Sequence, residues 1–166
     1  VDVVSLPKHK SVRTLVANRP LHDAVARLRK GHAEFMKVDV GGGLTLDAWV
    51  MKPPGFDSTR RYPVLYHVYG EPAGQTVLDQ WGGSDYLWNL LLTQHGYVVA
   101  SVDNRGTPSP RGRAFRKAIY KKIGLVNSAD QAAAARAMRR LSWVDSTRIG
   151  VWGWSGGGST TLNVMF

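Results

Sequence analysis

The chain has 166 residues, of which 43% are apolar and 20% are charged, and its 22 Lys and Arg against 12 Asp and Glu give a formal net charge of +10. This length suits one globular domain, and apolar runs of only a few residues exclude a membrane-spanning helix within it, which needs about 20. The absence of cysteine excludes a disulfide scaffold, a thiol nucleophile and a cysteine-ligated zinc site.

The excess of basic residues is concentrated in one segment, between Asp103 and Asp130. That segment has seven basic residues and no acidic one: Arg105, Arg111, Arg113, Arg116, Lys117, Lys121 and Lys122. Such a segment can bind phosphates, so a nucleic-acid-binding module is one alternative function. Without a nucleic-acid motif, however, it is more typical of a solvated face or of a face that meets an acidic partner surface. We expect no nucleic-acid partner.

The first third of the chain is predicted to be a lead-in segment followed by a β-hairpin. Residues 1–33 are polar and basic, and they contain one short helix, predicted over 21–29 because its apolar residues fall on one face. Residues 36–40 then alternate apolar and polar, the glycines 41–43 supply a turn, and 44–50 continue the pattern. This arrangement predicts two antiparallel strands.

Strands and helices alternate along the rest of the chain. Nearly continuous apolar runs predict strands buried on both faces over 64–69, 97–102 and 148–152. Helical composition predicts helices over 86–92, 113–122, 129–141 with Ser128 as N-cap, and from 159 to 166. An antiparallel hairpin followed by alternating strands and helices indicates an α/β domain with a mostly parallel sheet.

The last predicted strand runs directly into the sequence Gly-Trp-Ser-Gly-Gly-Gly, and a predicted helix follows. This is the context that a Gly-x-Ser-x-Gly nucleophile elbow requires. Ser155 would be the nucleophile, on strained backbone that raises its hydroxyl above the sheet edge. Gly153, Trp154 and Gly157 would form the elbow around it, the two glycines because strand and helix come close there. The N–H of Gly156, at the start of the helix, would point to where an oxyanion develops.

Three other interpretations of this turn remain open. It nearly matches a phosphate-binding loop, but Ser159 stands where that motif needs its lysine. It could also be a glycine-rich turn without chemistry. Finally, it could be a hydrolase elbow whose catalytic triad is broken.

The sequence lacks the partners that a nucleophilic serine needs. In this fold class they follow in the order Ser, Asp or Glu, His, yet residues 156–166 contain none of these acids and no histidine. The histidines all lie upstream, and we assign none of them to catalysis: His9, His22, His32, His67 and His95. No two of them have the i, i+4 spacing of a metal site, and neither a metal nor an organic cofactor is implied. Because the chain starts without Met and stops within a predicted helix, we expect it to be a piece of a longer protein.

Several separated motifs resemble one known family. They are KPPGFD after the hairpin, YPVLYHVYGEP, VASVDNRG, DQAAAARAM and RIGVWGWSGGG. From about Glu34 to Phe166 the chain resembles the first half of the catalytic domain of the prolyl oligopeptidase family, and Trp154 before the serine favours its dipeptidyl peptidase IV branch. The resemblance implies an α/β-hydrolase fold in which 1–33 are the lead-in and 34–166 the N-terminal half of the catalytic domain.

The resemblance adds a role for Tyr69, which in the family donates its phenolic O–H to the oxyanion beside the amide that follows the serine. From the sequence alone Tyr69 would be a core strand residue. Esterases of the same fold carry a His-Gly-Gly-Gly type loop here, so Tyr69-Gly70-Glu71-Pro72 makes an ester hydrolase the weaker alternative. The chain departs from the family at Glu71, usually a small residue, and at Gly156, where many relatives carry a bulkier one.

The resemblance further implies a serine exopeptidase that removes Xaa-Pro dipeptides from peptide N-termini through an acyl-enzyme on Ser155. It implies a β-propeller and a second half of the hydrolase domain as partners within the same protein, leaves room for a homodimer, and favours a periplasmic or secreted location. In the implied fold later strands lie beside 148–152, so a chain that stops at Phe166 would leave this apolar strand at an exposed edge, and we expect the 166 residues alone to be poorly soluble or inactive. A non-catalytic hydrolase-like interaction protein is the alternative from another class.

Overall fold

The computed structural model describes residues 1–28 and 33–166. The chain divides into two compact units, Val1–Lys30 and Gly31–Phe166. The first unit contains an antiparallel hairpin of β1 (Asp2–Ser5) and β2 (Lys10–Thr14), followed by helix α1 (Arg19–Ala26). The hairpin was not predicted, because both strands are exposed along almost their whole length and so lack the apolar face that marks a half-buried strand.

The helix predicted over 21–29 is present but shifted. It begins at Arg19, with Pro20 in its first turn, and ends at Ala26. Proline is common at this position because the first N–H groups of a helix have no acceptor within it, so no hydrogen bond is lost when the N–H is missing. The predicted end of the helix, and the last part of the predicted lead-in with His32, lie outside the described residues.

The second unit alternates strands and helices. Its elements in chain order are β3 (Ala33–Gly41), β4 (Leu44–Met51), β5 (Tyr62–His67), α2 (Gly83–Gln94), β6 (Val98–Asp103), α3 (Gly112–Lys117), α4 (Val126–Met138), β7 (Val144–Trp152) and α5 (Gly156–Met165). The strands form one sheet in the order β3-β4-β6-β5-β7. β4 pairs antiparallel with β3 and β6, whereas β5 pairs parallel with β6 and β7. The predicted α/β fold class is therefore confirmed, and the parallel strands bring their carboxyl ends to one edge.

The core lies on both faces of β6, the central strand, all six residues of which are buried. Val98, Ala100 and Val102 join one apolar cluster, which includes Ala134 of α4. Val99 joins another, which includes Leu90 of α2. Because successive side chains of a strand point to opposite faces, helices cover both sides of the sheet here.

The strand predicted over 148–152 is present as the end of β7; it is not buried on both faces, but it has the exposed edge that is expected of the 166 residues alone. β7 lies at the edge of the described sheet, with Arg148 and Gly150 exposed and Ile149 and Val151 half-buried. An edge strand has a neighbour on one side only, so an apolar run does not guarantee that it is covered.

Two helices differ from prediction. α3 ends at Lys117 and not at 122, and Lys121 has a left-handed backbone with φ of 57°, which a continuing helix does not allow. α4 begins at Val126, so Ser128 lies within its first turn and is not the N-cap. Asn127, the second residue of the helix, bonds to the loop before it: its Oδ1 accepts a hydrogen bond from the N–H of Gly124 at 2.8 Å.

Candidate active site

Ser155 lies in the turn between β7 and α5. Its φ is 54° and its ψ is −119°, a conformation that L-residues other than glycine rarely adopt. Such strain costs about 1–3 kcal/mol and persists where the surrounding structure imposes it. Ser155 and Trp154 are both exposed. The strained geometry predicted from the Gly-x-Ser-x-Gly motif is thus confirmed, while the nucleophilic role of Ser155 stays a prediction.

The glycines on either side of this turn permit a very close approach of backbone to backbone. A Cβ on Gly153 or on Gly157 would overlap the carbonyl oxygen of Val68, just beyond the end of β5. A Cβ on Gly153 would also lie 2.7 Å from the carbonyl oxygen of Gly157. The end of β5 is therefore packed directly against the start of α5.

Tyr69 follows β5 at this same point. The strand ends at His67, two residues earlier than predicted, although the N–H of Val68 still donates to the carbonyl of Trp152 at 3.0 Å. The Tyr69 ring is half-buried against Gly74, where an added Cβ would lie 2.7 Å from ring atom Cδ1. The Cα of Tyr69 would lie 3.3 Å from a Cβ on Gly157. The structure therefore brings the backbones of Tyr69 and of the serine turn together.

A buried threonine hydroxyl connects these two backbones. Thr160 is fully buried in α5, and its Oγ1 lies 3.2 Å from the carbonyl oxygen of Tyr69 and 2.9 Å from that of Gly156. The amide Nδ2 of Asn127, from α4, donates to the same hydroxyl at 2.9 Å. Sequence reasoning missed both residues, because no motif marks a polar pair 33 positions apart.

Gln131 of α4 and Asn104 form a second buried connection, which ends at the carbonyl of Gly70. Gln131 Nε2 donates to Asn104 Oδ1 at 3.0 Å, and Asn104 Nδ2 donates to the carbonyl of Gly70 at 3.0 Å. Gly70 has a φ of 84° and leaves no room for a side chain, since a Cβ would lie 2.9 Å from Thr160 Oγ1. Buried side chains thus donate hydrogen bonds to the backbone carbonyls of both Tyr69 and Gly70.

An ion pair anchors α4 to the end of β6. Asp130 is 3% exposed, and Arg105 Nη2 and Nε donate to its carboxylate at 2.7 Å and 3.0 Å. The backbone N–H of Arg105 donates to it as well, at 2.9 Å. Hydrogen bonding to Asp130 raises the pKa of the Arg105 guanidinium. The helix that carries Asn127 and Gln131 is therefore fixed to the sheet beside the site.

Glu71 lies directly beside the N-terminus of α5. A Cβ on Gly156 would overlap the Glu71 carboxyl group, at 2.6 Å from Oε2 and 2.8 Å from Oε1. The turn after Tyr69 is closed by a hydrogen bond from the N–H of Gly74 to the carbonyl of Glu71 at 3.3 Å. Glu71 and Gly156, the two residues that depart from the family pattern, therefore lie next to each other.

Two further titratable groups at this edge of the sheet have packing roles. Asp103 is 1% exposed and accepts hydrogen bonds from the N–H groups of Thr76 and Val77 at 3.0 and 3.2 Å. Burial raises the pKa of this carboxyl, and the hydrogen bonds partly offset that effect. His67 stacks on Trp152 with ring centroids 4.7 Å apart, and burial lowers its pKa.

The basic segment is partly neutralised. Besides the Arg105 pair, Arg111 lies 3.9 Å from the carboxylate of Asp47. Arg113, Arg116 and Lys117 line a cleft of about 390 Å³. Within residues 1–28 and 33–166, no group of three or more His, Cys, Asp or Glu side chains is arranged to hold a metal ion.

Parallel strands, helices on both faces of the sheet and a strained serine at the entry to a helix define an α/β hydrolase fold. A profile of the prolyl oligopeptidase family matches residues 84–166, which is half of the chain. The chain belongs to the prolyl oligopeptidase family.

The proteins that the chain resembles in sequence and structure support the dipeptidyl peptidase IV branch of this family. Dipeptidyl peptidase 4 of Trichophyton equinum is 33% identical over 157 residues, which are 94% of this chain and 20% of that protein. Dipeptidyl peptidase 4 of Arthroderma otae is 32% identical over 159 residues, 95% of this chain and 20% of the relative. The crystal structure of Porphyromonas gingivalis dipeptidyl peptidase 4 is 42% identical, with a TM-score of 0.88 over 98% of this chain and 23% of that one.

The chain therefore spans about a fifth of the length of the relatives that it matches. None of the described helices is long and apolar enough to cross a membrane.

Proposed function

We propose that this chain is the nucleophile-bearing half of the catalytic domain of a serine exopeptidase. The observation that carries the proposal is Ser155, held at a φ of 54° at the entry to α5 and exposed there. An L-residue keeps such a conformation only where the fold imposes it, and in α/β hydrolases this turn presents the attacking hydroxyl.

In the proposed mechanism, Ser155 Oγ attacks the carbonyl carbon of the scissile peptide bond while its proton passes to a histidine outside this chain. The N–H of Gly156 and the phenolic O–H of Tyr69 donate hydrogen bonds to the resulting oxyanion. The C–N bond then breaks, and the departing amine takes the proton from the histidine. Water hydrolyses the remaining ester on Ser155 and releases the N-terminal dipeptide.

The names of the relatives support the substrate class, since those proteins are dipeptidyl peptidases. We infer that the substrate is a peptide with a free N-terminus and that the chain works with the rest of a longer protein. That remainder would supply the triad acid and base, and the β-propeller that the resemblance implies. Residues 1–33 would be the lead-in and 34–166 the first half of the catalytic domain, in a periplasmic or secreted enzyme.

A fluorophosphonate probe tests the nucleophile in the full-length protein. The wild type should be labelled, and Ser155→Ala should not be. Ser159→Ala is the matched control, because Ser159 is another exposed serine, four residues further on at the same turn and helix. Equal labelling of wild type and Ser155→Ala would remove Ser155 from the reaction.

A further inference from the structure

We propose that Thr160 and Asn127 are positioning residues of the oxyanion site, acting through the backbone carbonyl of Tyr69. The proposal rests on the proposed function, because it concerns the Gly156 and Tyr69 donors of that same reaction. Neither residue is placed to touch a substrate, since Thr160 is 0% and Asn127 1% exposed.

The direction of each hydrogen bond in this pair follows from its neighbours. Asn127 Oδ1 accepts from the N–H of Gly124, so the other end of the amide, Nδ2, must face Thr160 and donate to it. The threonine hydroxyl therefore receives a hydrogen bond from Asn127. Its own proton is left for a carbonyl oxygen, and the carbonyls in reach are those of Tyr69 and Gly156.

Those two carbonyls belong to the two residues that would donate to the oxyanion. A hydroxyl that shares its one proton between them, at 2.9 Å from the Gly156 carbonyl and 3.2 Å from the Tyr69 carbonyl, links the Tyr69 backbone to the first residue of α5. An oxyanion site depends on donors held in advance at the correct distance, so a change in the separation between these two backbones reduces the stabilisation of the tetrahedral state. Binding of the uncharged substrate depends on it much less.

The residues on either side of Tyr69 are bonded elsewhere, Val68 to Trp152 and Gly70 to Asn104. The Gly70 carbonyl is held by Asn104, but the Tyr69 carbonyl has Thr160 as its described side-chain partner. The Tyr69 ring rests on Gly74, in a turn closed by one backbone hydrogen bond of 3.3 Å. Thr160 is thus the described link between this carbonyl and the helix that carries Gly156.

The test compares Thr160→Val, which keeps the shape but removes the hydroxyl, with Thr160→Ser, which keeps the hydroxyl. Thr161→Val is the matched control, because Thr161 is the next residue of α5 and its Oγ1 is buried without a partner in the described part of the chain. Asn127→Ala is the second variant, in which the hydroxyl remains but loses the donor that orients it. All are made in the full-length protein.

Turnover of a dipeptide p-nitroanilide and the affinity of a dipeptide boronate, which forms a tetrahedral adduct on serine, are measured for each variant. We expect Thr160→Val to lower kcat about 10-fold, less than the roughly 100-fold of a lost oxyanion donor, with KM nearly unchanged and boronate affinity lowered in parallel. Asn127→Ala should lower kcat by a smaller factor. Thr160→Ser and Thr161→Val should resemble the wild type.

Three results would overturn the proposal. One is a Thr160→Val enzyme with kcat and boronate affinity within about twofold of the wild type. The second is an equal fall for Thr161→Val. The third result is needed if Thr160→Val does not fold. In that case an Asn127→Ala enzyme whose kcat equals that of the wild type would overturn the proposal. A wild-type protein that the fluorophosphonate probe does not label would instead overturn the proposed function itself, and this inference with it.

Discussion

The carboxyl group of Glu71 occupies the space that a side chain at position 156 would need. A Cβ on Gly156 would overlap that carboxyl group, at 2.6 Å from its Oε2. The two departures from the family pattern are therefore one structural feature, in which a larger residue in the loop after Tyr69 goes with a smaller residue after the serine. The loop itself keeps its turn, closed by the Gly74 to Glu71 hydrogen bond.

Gly156→Ala should be tolerated. The atoms that a Cβ would meet are the far end of the flexible Glu71 side chain, which can rotate away, and alanine is favoured over glycine in a helix by about 0.5–1 kcal/mol. We therefore expect the free energy of unfolding of the full-length protein to change by about 1 kcal/mol or less. A large drop in the thermal unfolding midpoint would show that Glu71 cannot move, and the double variant Glu71→Ala, Gly156→Ala would then restore it.

Gly157→Ala should be severe, although it adds the same methyl group one residue later. Its Cβ would overlap the carbonyl oxygen of Val68, a backbone atom that cannot rotate away as a side chain can, and the Cβ itself is fixed to the backbone of α5. Neither can move without disturbing the hydrogen bond between Val68 and Trp152. We expect a loss of roughly 3 kcal/mol or more, measured by thermal unfolding with Gly156→Ala as the control. Equal midpoints for the two variants would contradict the close approach seen here.

The serine turn and the central strand could be predicted because their causes are local. β6 is a nearly continuous apolar run that is buried on both faces, and the elbow is a short motif of consecutive residues, although its glycines meet the distant backbone of Val68. The edge position of β7 could be expected only from the resemblance, in whose fold later strands lie beside this one, and not from the apolar run itself. An apolar run such as 148–152 shows that a strand could be covered, not that it has neighbours on both sides.

The polar residues under the site could not be predicted, for a physical reason. Asn127 and Thr160 are hydrophilic residue types, and only the packing of α4 against α5 buries them next to each other. Ser128, whose position suggested an N-cap, has no hydrogen-bond partner for its side chain among the described residues. The side chain of its neighbour Asn127 instead makes hydrogen bonds to Gly124 and Thr160. Which of two adjacent polar residues points inward depends on the rotation of the helix, and the sequence of α4 has too many small residues to define it.

Arg105→Lys should destabilise the protein. The Asp130 carboxylate is almost fully buried and receives hydrogen bonds from two nitrogens of the Arg105 side chain. A lysine ammonium is a point charge that cannot reproduce this planar fork, so the buried carboxylate loses part of its compensation. We expect a loss of about 1–3 kcal/mol in the free energy of unfolding. Arg148→Lys is the control, since Arg148 is exposed and donates to Asp145 through Nε alone, and a similar loss there would count against the argument.

His67 should make the stability of the protein depend on pH below neutrality. Burial lowers its pKa from the ordinary value of 6.5, and the charge of Asp85 opposes this only in part. Between the lowered pKa and 6.5 the unfolded chain binds more protons than the folded one, so stability rises with pH through this window and is lost as the pH falls through it. His67→Gln, which cannot be protonated, should reduce the difference between the unfolding midpoints of the full-length protein at pH 7.5 and about 5.5.

The comparison is made against the wild type and against His95→Gln, because His95 is exposed at the end of α2. Asp103 is present in all three proteins, so the effect of its raised pKa cancels from the differences between them. His95→Gln should keep the wild-type pH dependence. If His67→Gln keeps it too, the stacked imidazole is not the group whose protonation destabilises the fold, and the contact between His67 and Trp152 contributes through packing alone.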